Sequence, residues 1–276
     1  MSLEAFRPAP KTAGVILLAL FSLLILGACQ PAADEAPAEE PAEAAEAPAI
    51  TLTPMPASPE FETAALALTD ISAGQNFEPG AVPFGFQVVD YELGAQTSDA
   101  ATKGIANSGQ GQHIHLILNN GPYSAHYEAP FEKELEAGHY VMLAFLSRSY
   151  HESLKNFGAA VLTDFTVGGA ERGEVDTAAP HLFYSRPKGT YTGADTERLM
   201  LDFYLLNTEL SPEGNKVRAT IAGQEFLIDA WAPQIIEGLE MGEVEVTLEL
   251  IDAEGNGIPG PFNSVTRTVT LAPAEG

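Results

Sequence analysis

Residues 111–130 read GQHIHLILNNGPYSAHYEAP, and residues 214–233 read GNKVRATIAGQEFLIDAWAP. At an offset of 103 the two align without a gap. Each opens on Gly, alternates apolar and polar residues, turns in the middle and closes on Ala-Pro. A second match precedes each copy: FGFQVVDYELG (84–94) parallels MLDFYLLNTEL (200–210), with Phe86 over Phe203 and Glu92-Leu93 over Glu209-Leu210. A third follows: LEAGHYVMLAFL (135–146) parallels LEMGEVEVTLEL (239–250). Three matched blocks in one order are the signature of an internal repeat. Each block is short, rich in Val, Ile, Leu, Phe and Tyr, and bounded by Gly, Pro or Asn, which reads as strand. The reading is an all-β chain with two tandem immunoglobulin-like β-sandwiches, at 62–168 and 180–273, joined by a Gly/Ala-rich connector at 169–179. The chain has one cysteine, so no disulfide pins either core.

That cysteine lies elsewhere. Arg7 and Lys11 precede an apolar run from Ala13 to Ile25, which is signal-peptide length and short for a membrane span. The run ends in Leu26-Gly27-Ala28-Cys29, which resembles the lipobox of bacterial lipoproteins. The resemblance implies that residues 1–28 are removed and that a lipid on Cys29 holds the chain to a membrane of the cell envelope. Gln30 in place of Asp favours the outer membrane by the same analogy. Residues 29–61, with the run PAADEAPAEEPAEAAEAPA, hold too little apolar surface to offset chain entropy and read as a disordered acidic tether.

Charge excludes one class of partner. The chain carries 38 acidic and 13 basic residues, a formal net charge of −25. Glu4, Arg7 and Lys11 belong to the leader, which leaves 37 acids against 11 bases in the remainder. No basic face is available for nucleic acid.

Three of the six histidines fall between His113 and His126. If Asn119–Pro122 form a four-residue turn, cross-strand partners sum to 241. His115 then faces His126, and His113 faces Glu128. Side chains two apart share a face, so His113, His115, Ser124, His126 and Glu128 all point outward from the first sandwich. Opposed Cβ atoms lie about 5 Å apart. Imidazoles so placed, with the carboxylate of Glu128, match Cu or Zn, which favour imidazole nitrogen. His139 and His151 are additional candidates from neighbouring strands. The second copy is an internal control: Lys216, Arg218 and Asp229 stand where the first has its histidines, and Arg218 is expected opposite Asp229. With ordinary imidazole pKa values, metal affinity falls steeply below about pH 6. The pattern GxHxHLxL followed by a Gly-His strand start resembles small His-rich β-sandwich domains of unassigned function in bacterial envelope proteins. That resemblance implies a periplasmic or surface binding domain, with a metal as the suspected ligand.

Two alternatives remain open. Arg148, Lys155, Arg186 and Lys188 lie in SRSYHESLK and YSRPKG near the junction of the sandwiches, and such groups suit a phosphorylated or carboxylate ligand. A structural or adhesive module without a small ligand is the other. No GxSxG, P-loop or HExxH motif is present and no cysteine is free as a nucleophile, so binding rather than catalysis is the expectation.

Overall fold

The computed structural model describes residues 49–274. The segments read as signal peptide and tether, with Cys29, lie outside the described residues as far as residue 48.

The first sandwich runs through nine strands: β2 (Ala65–Leu68), β3 (Gln75–Phe77), β4 (Gly80–Phe84), β5 (Phe86–Val89), β6 (His113–Leu118), β7 (Ser124–His126), β8 (Phe131–Leu135), β9 (Gly138–Ser147) and β10 (Ala160–Val167). The second repeats the series with β11 (His181–Arg186), β12 (Gly189–Thr192), β13 (Arg198–Leu206), β14 (Lys216–Ile221), β15 (Gln224–Ile228), β16 (Gln234–Glu237), β17 (Gly242–Ile251) and β18 (Ser264–Ala272). One sheet of each has the same order, β3-β10-β9-β6-β7 and β12-β18-β17-β14-β15, with the first pair parallel in both. Opposite them, β2 pairs β5 and β4 pairs β8, as β11 and β16 both pair β13. The pair β4 and β5 is thus the interrupted equivalent of β13. Both halves are immunoglobulin-like sandwiches, and their strands fall where the repeat puts them.

Alternation makes each core. In β17, Val244, Val246, Leu248 and Leu250 are buried while Glu243, Glu245 and the residues between the others face out. Strand β9 departs from this, with Val141 through Ser147 all buried. Met142, Ala144 and Leu146 fill the first sandwich, whereas Val141, Leu143 and Phe145 pack with Phe183, Tyr204 and Phe262 of the second. A continuous apolar run is what burial on both faces demands. The outer face of the β6–β9 sheet is therefore covered by the second sandwich. The first hairpin is plugged into it: Asn120 donates to the carbonyls of Leu182 and Phe262 and accepts from the Tyr184 N–H.

Two expectations are corrected. The tether reading extends to residue 61, but Thr51–Pro54 form a strand, β1, antiparallel to β16 of the second sandwich. Ile50 and Leu52 pack against that sandwich's core, which gives this short stretch the apolar surface that the Pro/Ala/Glu run lacks. The chain then crosses back to begin the first sandwich.

The hairpin register is the second. His126 pairs with Ile114, His115 with Ala125 and Leu116 with Ser124, so partners sum to 240. Asn119 and Asn120, both at positive φ, make the tight turn, closed by the Gly121 N–H on the Leu118 carbonyl at 2.9 Å. Pro122 has no N–H to give the ladder, and Pro122 and Tyr123 together stand opposite Ile117 as a bulge. A slip of one residue moves every later side chain to the other face. In the second copy the turn is Ala222-Gly223, again at positive φ, and Arg218 pairs with Leu227 instead of Asp229. Arg218 forms ion pairs with Glu225 and Glu249.

Candidate metal centre

His113 and His115 stand on the face of β6 turned toward the second sandwich, both fully buried. The third histidine comes from the loop after β9, where the His151 N–H donates to the Arg148 carbonyl and His151 adopts φ 71°. Left-handed backbone is uncommon in any residue but Gly, and such positions cluster at functional sites. One ring nitrogen of each histidine lies within 4.8 Å of the other two. His113 Nε2 is 2.8 Å from His115 Nε2 and 3.1 Å from His151 Nδ1.

The surroundings fix these orientations. His113 Nδ1 lies 2.7 Å from the Gly111 carbonyl, so Nδ1 carries the proton it donates and Nε2 keeps a free lone pair. Gly111 sits at φ 87°, and a Cβ there would collide with the Gly94 carbonyl, so only glycine presents that carbonyl. Ser185 Oγ lies 3.4 Å from His115 Nδ1. The Tyr123 ring stacks on His115 at 3.5 Å, and its hydroxyl is 3.3 Å from His151 Nδ1. Tyr127 stands 4.9 Å from His113.

Burial keeps all three rings neutral. Desolvation lowers the pKa of His113 to about 4, and the nearby Arg186 adds to this. His115 is pushed well below its ordinary value by burial, then by His113, His151, Arg186 and Lys188. His151 is lowered by burial and by Arg186 as well. Neutral imidazole is the form that binds metal. Metal–nitrogen bonds of about 2.0–2.1 Å set ligands about 3.3 Å apart in a tetrahedron and about 2.9 Å apart when adjacent in a square plane. The gaps of 2.8 and 3.1 Å are within about half an ångström of either geometry.

The other candidates are placed apart. His126 lies on the opposite face of the hairpin, where its Nε2 is 2.8 Å from Ser124 Oγ and its ring stacks on Phe131 at 3.4 Å. Glu128 is exposed beyond the end of β7. His139 lies 3.0 Å from Asp164, which also binds Arg172. So the set His113, His115, His126 and Glu128 becomes His113, His115 and His151. The bulge at Pro122 is what removes His126.

The basic candidates divide. Arg148 forms an ion pair with Glu152 and donates to the Pro59 carbonyl, which ties down the segment between the sandwiches. Lys155 forms an ion pair with buried Asp202 at 2.7 Å. Arg186 and Lys188 sit beside the histidines: Arg186 donates to the Tyr191 hydroxyl at 2.9 Å, and Lys188 lies 4.0 Å from the centre of the Tyr123 ring. Tyr123 and Ser185 escaped the sequence reading. Tyr123 carries a signal in hindsight, since a proline directly before it marks the bulge that turns it toward β6.

No family model matches the chain, and a search of curated proteins found no match. Solved structures similar to it include the fibronectin(III)-like modules of Clostridium thermocellum CbhA, at 12% identity and a TM-score of 0.27, covering 76% of this chain and 95% of that one. The Bacteroides ovatus mixed-linkage glucan utilization locus protein SGBP-B, solved with a mixed-linkage heptasaccharide, is similar at 10% identity and a TM-score of 0.22, covering 75% of this chain and 47% of that one. The two tandem V-type regions of a v-region-containing chitin binding protein are similar at 8% identity and a TM-score of 0.21, covering 75% and 99%.

Proposed function

We propose that the chain is a lipid-anchored envelope protein that binds a transition-metal ion, copper or zinc, through His113 Nε2, His115 Nε2 and His151 Nδ1. The convergence of these three nitrogens carries the reading. An all-imidazole set suits these metals and is unsuited to calcium or magnesium, which require oxygen. The test is calorimetric titration of residues 30–276 with Cu²⁺ and Zn²⁺ at about pH 7.5, where imidazole is neutral. One equivalent binds. His113→Ala and His115→Ala each weaken binding by at least about tenfold, whereas His126→Ala and Arg218→Ala leave it unchanged. Absence of saturable binding sinks the reading. The anchor has its own test: Cys29→Ser abolishes lipid labelling, and normal labelling of that variant refutes it.

Anion recognition is supported as a second reading at Arg186 and Lys188 alone. Their charges oppose a bare cation at the histidines, as their effect on the ring pKa values indicates. They favour a metal that arrives with, or acquires, an anionic companion. Inorganic phosphate binding that Arg186→Gln and Lys188→Gln weaken, while Arg148→Gln does not, is the expected result. Equal phosphate binding by all the variants discards it.

A further inference from the structure

A formed cavity lies away from the histidines. It is an open groove of about 880 Å³ between the β9–β10 loop of the first sandwich and the end of β13 in the second. Its apolar wall joins Tyr204, Trp231 and Phe157 with Leu205, Leu206 and Leu210. Tyr204 and Trp231 meet edge to face at 5.1 Å, and Phe157 stands at the rim with its side chain fully exposed. A phenylalanine left wholly in water gains nothing for the fold, and here it extends the apolar surface of a formed groove.

The polar groups of the groove define what it accepts. Asn156 donates both amide hydrogens inward, to the Glu62 and Ala64 carbonyls, and Asn207 donates both of its own to the Thr177 and Ala179 carbonyls. Each therefore turns a side-chain oxygen away from these bonds as an acceptor. Glu209, exposed at the same rim, adds a carboxylate. Tyr204, only 4% exposed, lines the groove as well. The one cation present, Lys155, is already paired with Asp202 and lies over the Trp231 ring. The groove thus combines aromatic surface, hydrogen-bond acceptors and no free positive charge.

We propose that this groove binds an uncharged oligosaccharide. A sugar ring offers C–H groups on one face to pack on an aromatic ring and hydroxyl donors at its edges to meet the acceptors. A purely apolar ligand would bury those acceptors unsatisfied. An anionic polymer would meet Glu209 and a strongly acidic chain with no free base to receive it.

Trp231 is the only tryptophan, so its fluorescence reports on this groove alone. Residues 30–276 are titrated with neutral hexasaccharides of glucose, mannose, xylose and N-acetylglucosamine, and with a leucine-rich peptide. At least one sugar gives a saturable change. Phe157→Ala, a change at an exposed position that leaves the core intact, weakens that sugar at least tenfold, and Tyr204→Phe weakens it severalfold. His113→Ala leaves it unaltered, which separates this site from the metal centre. If no hexasaccharide saturates, if the peptide alone does, or if Phe157→Ala binds as the unaltered chain does, the proposal is overturned.

Discussion

His113 shows what burial does to a titrating group when no metal holds it. Its pKa falls from 6.5 in the open chain to about 4 in the fold, chiefly by desolvation. A folded value below the unfolded one means that the unfolded chain takes up the proton first. The stability is therefore fully present above pH 6.5 and is lost as pH falls toward 4, by about 3 kcal/mol for this residue. Urea denaturation of the metal-free chain should show the midpoint falling across that window, and His113→Gln should flatten the fall. The same depressed value moves the acid limit of metal binding: protons displace the metal nearer pH 4–5 than pH 6, which titration at stepped pH checks. His151 separates ligation from folding. At φ 71° glycine is the relaxed residue, so His151→Gly should cost metal affinity at least about tenfold and change Tm by only a few degrees. Loss of folding in that variant would show that the ring holds the loop. The spacing of His113 and His115 put both on one face of a strand, and that much was legible. The exclusion of His126 was not, because it turns on whether one residue at Pro122 enters the ladder.

Strand β1 is the element that composition hid. The Pro/Ala/Glu run before it dominates any window, and TLTP has four residues with one apolar side chain on the core side. What makes it a strand is the free edge of β16, a long-range partner that no local pattern records. Removing residues 30–60 should lower Tm by roughly 5–10 °C, from the lost ladder and the partial burial of Ile50 and Leu52. Removing residues 30–45 should leave Tm unchanged. The shorter fragment should also self-associate, since an uncovered edge strand is a template for another chain. Equal melting of the two fragments, with both monomeric by light scattering, would count against a structural part for β1. The repeat, by contrast, was read directly, because two copies with alternating faces cross-check one another.

The two sandwiches share a seam of aromatic side chains and hydrogen bonds, so the whole should melt as one unit. Calorimetry should give a single transition with equal van't Hoff and calorimetric enthalpies. Two resolved transitions would contradict the packing of Phe145 against Tyr204. Asn120 tests the seam from one residue: Asn120→Ala removes three side-chain hydrogen bonds and replaces a residue that tolerates φ 52° with one that tolerates it less, a loss of about 2–4 kcal/mol. This shared interior was only half legible. The apolar run of β9 signalled burial on both sides, but a repeat aligns the copies with each other and is silent on how they meet. The antiparallel pairing of β1 with β16 carries a mechanical consequence. Tension on the N-terminal end of the chain is borne first by that four-residue ladder. Peeling it away would pay out residues 51–54, about 13 Å of chain, before load reaches the anchored segment Met55–Pro59 and, beyond it, the sandwiches and the histidines. A chain held at its N-terminus and pulled from its bound ligand would yield there first and recover when released, as a shock absorber does.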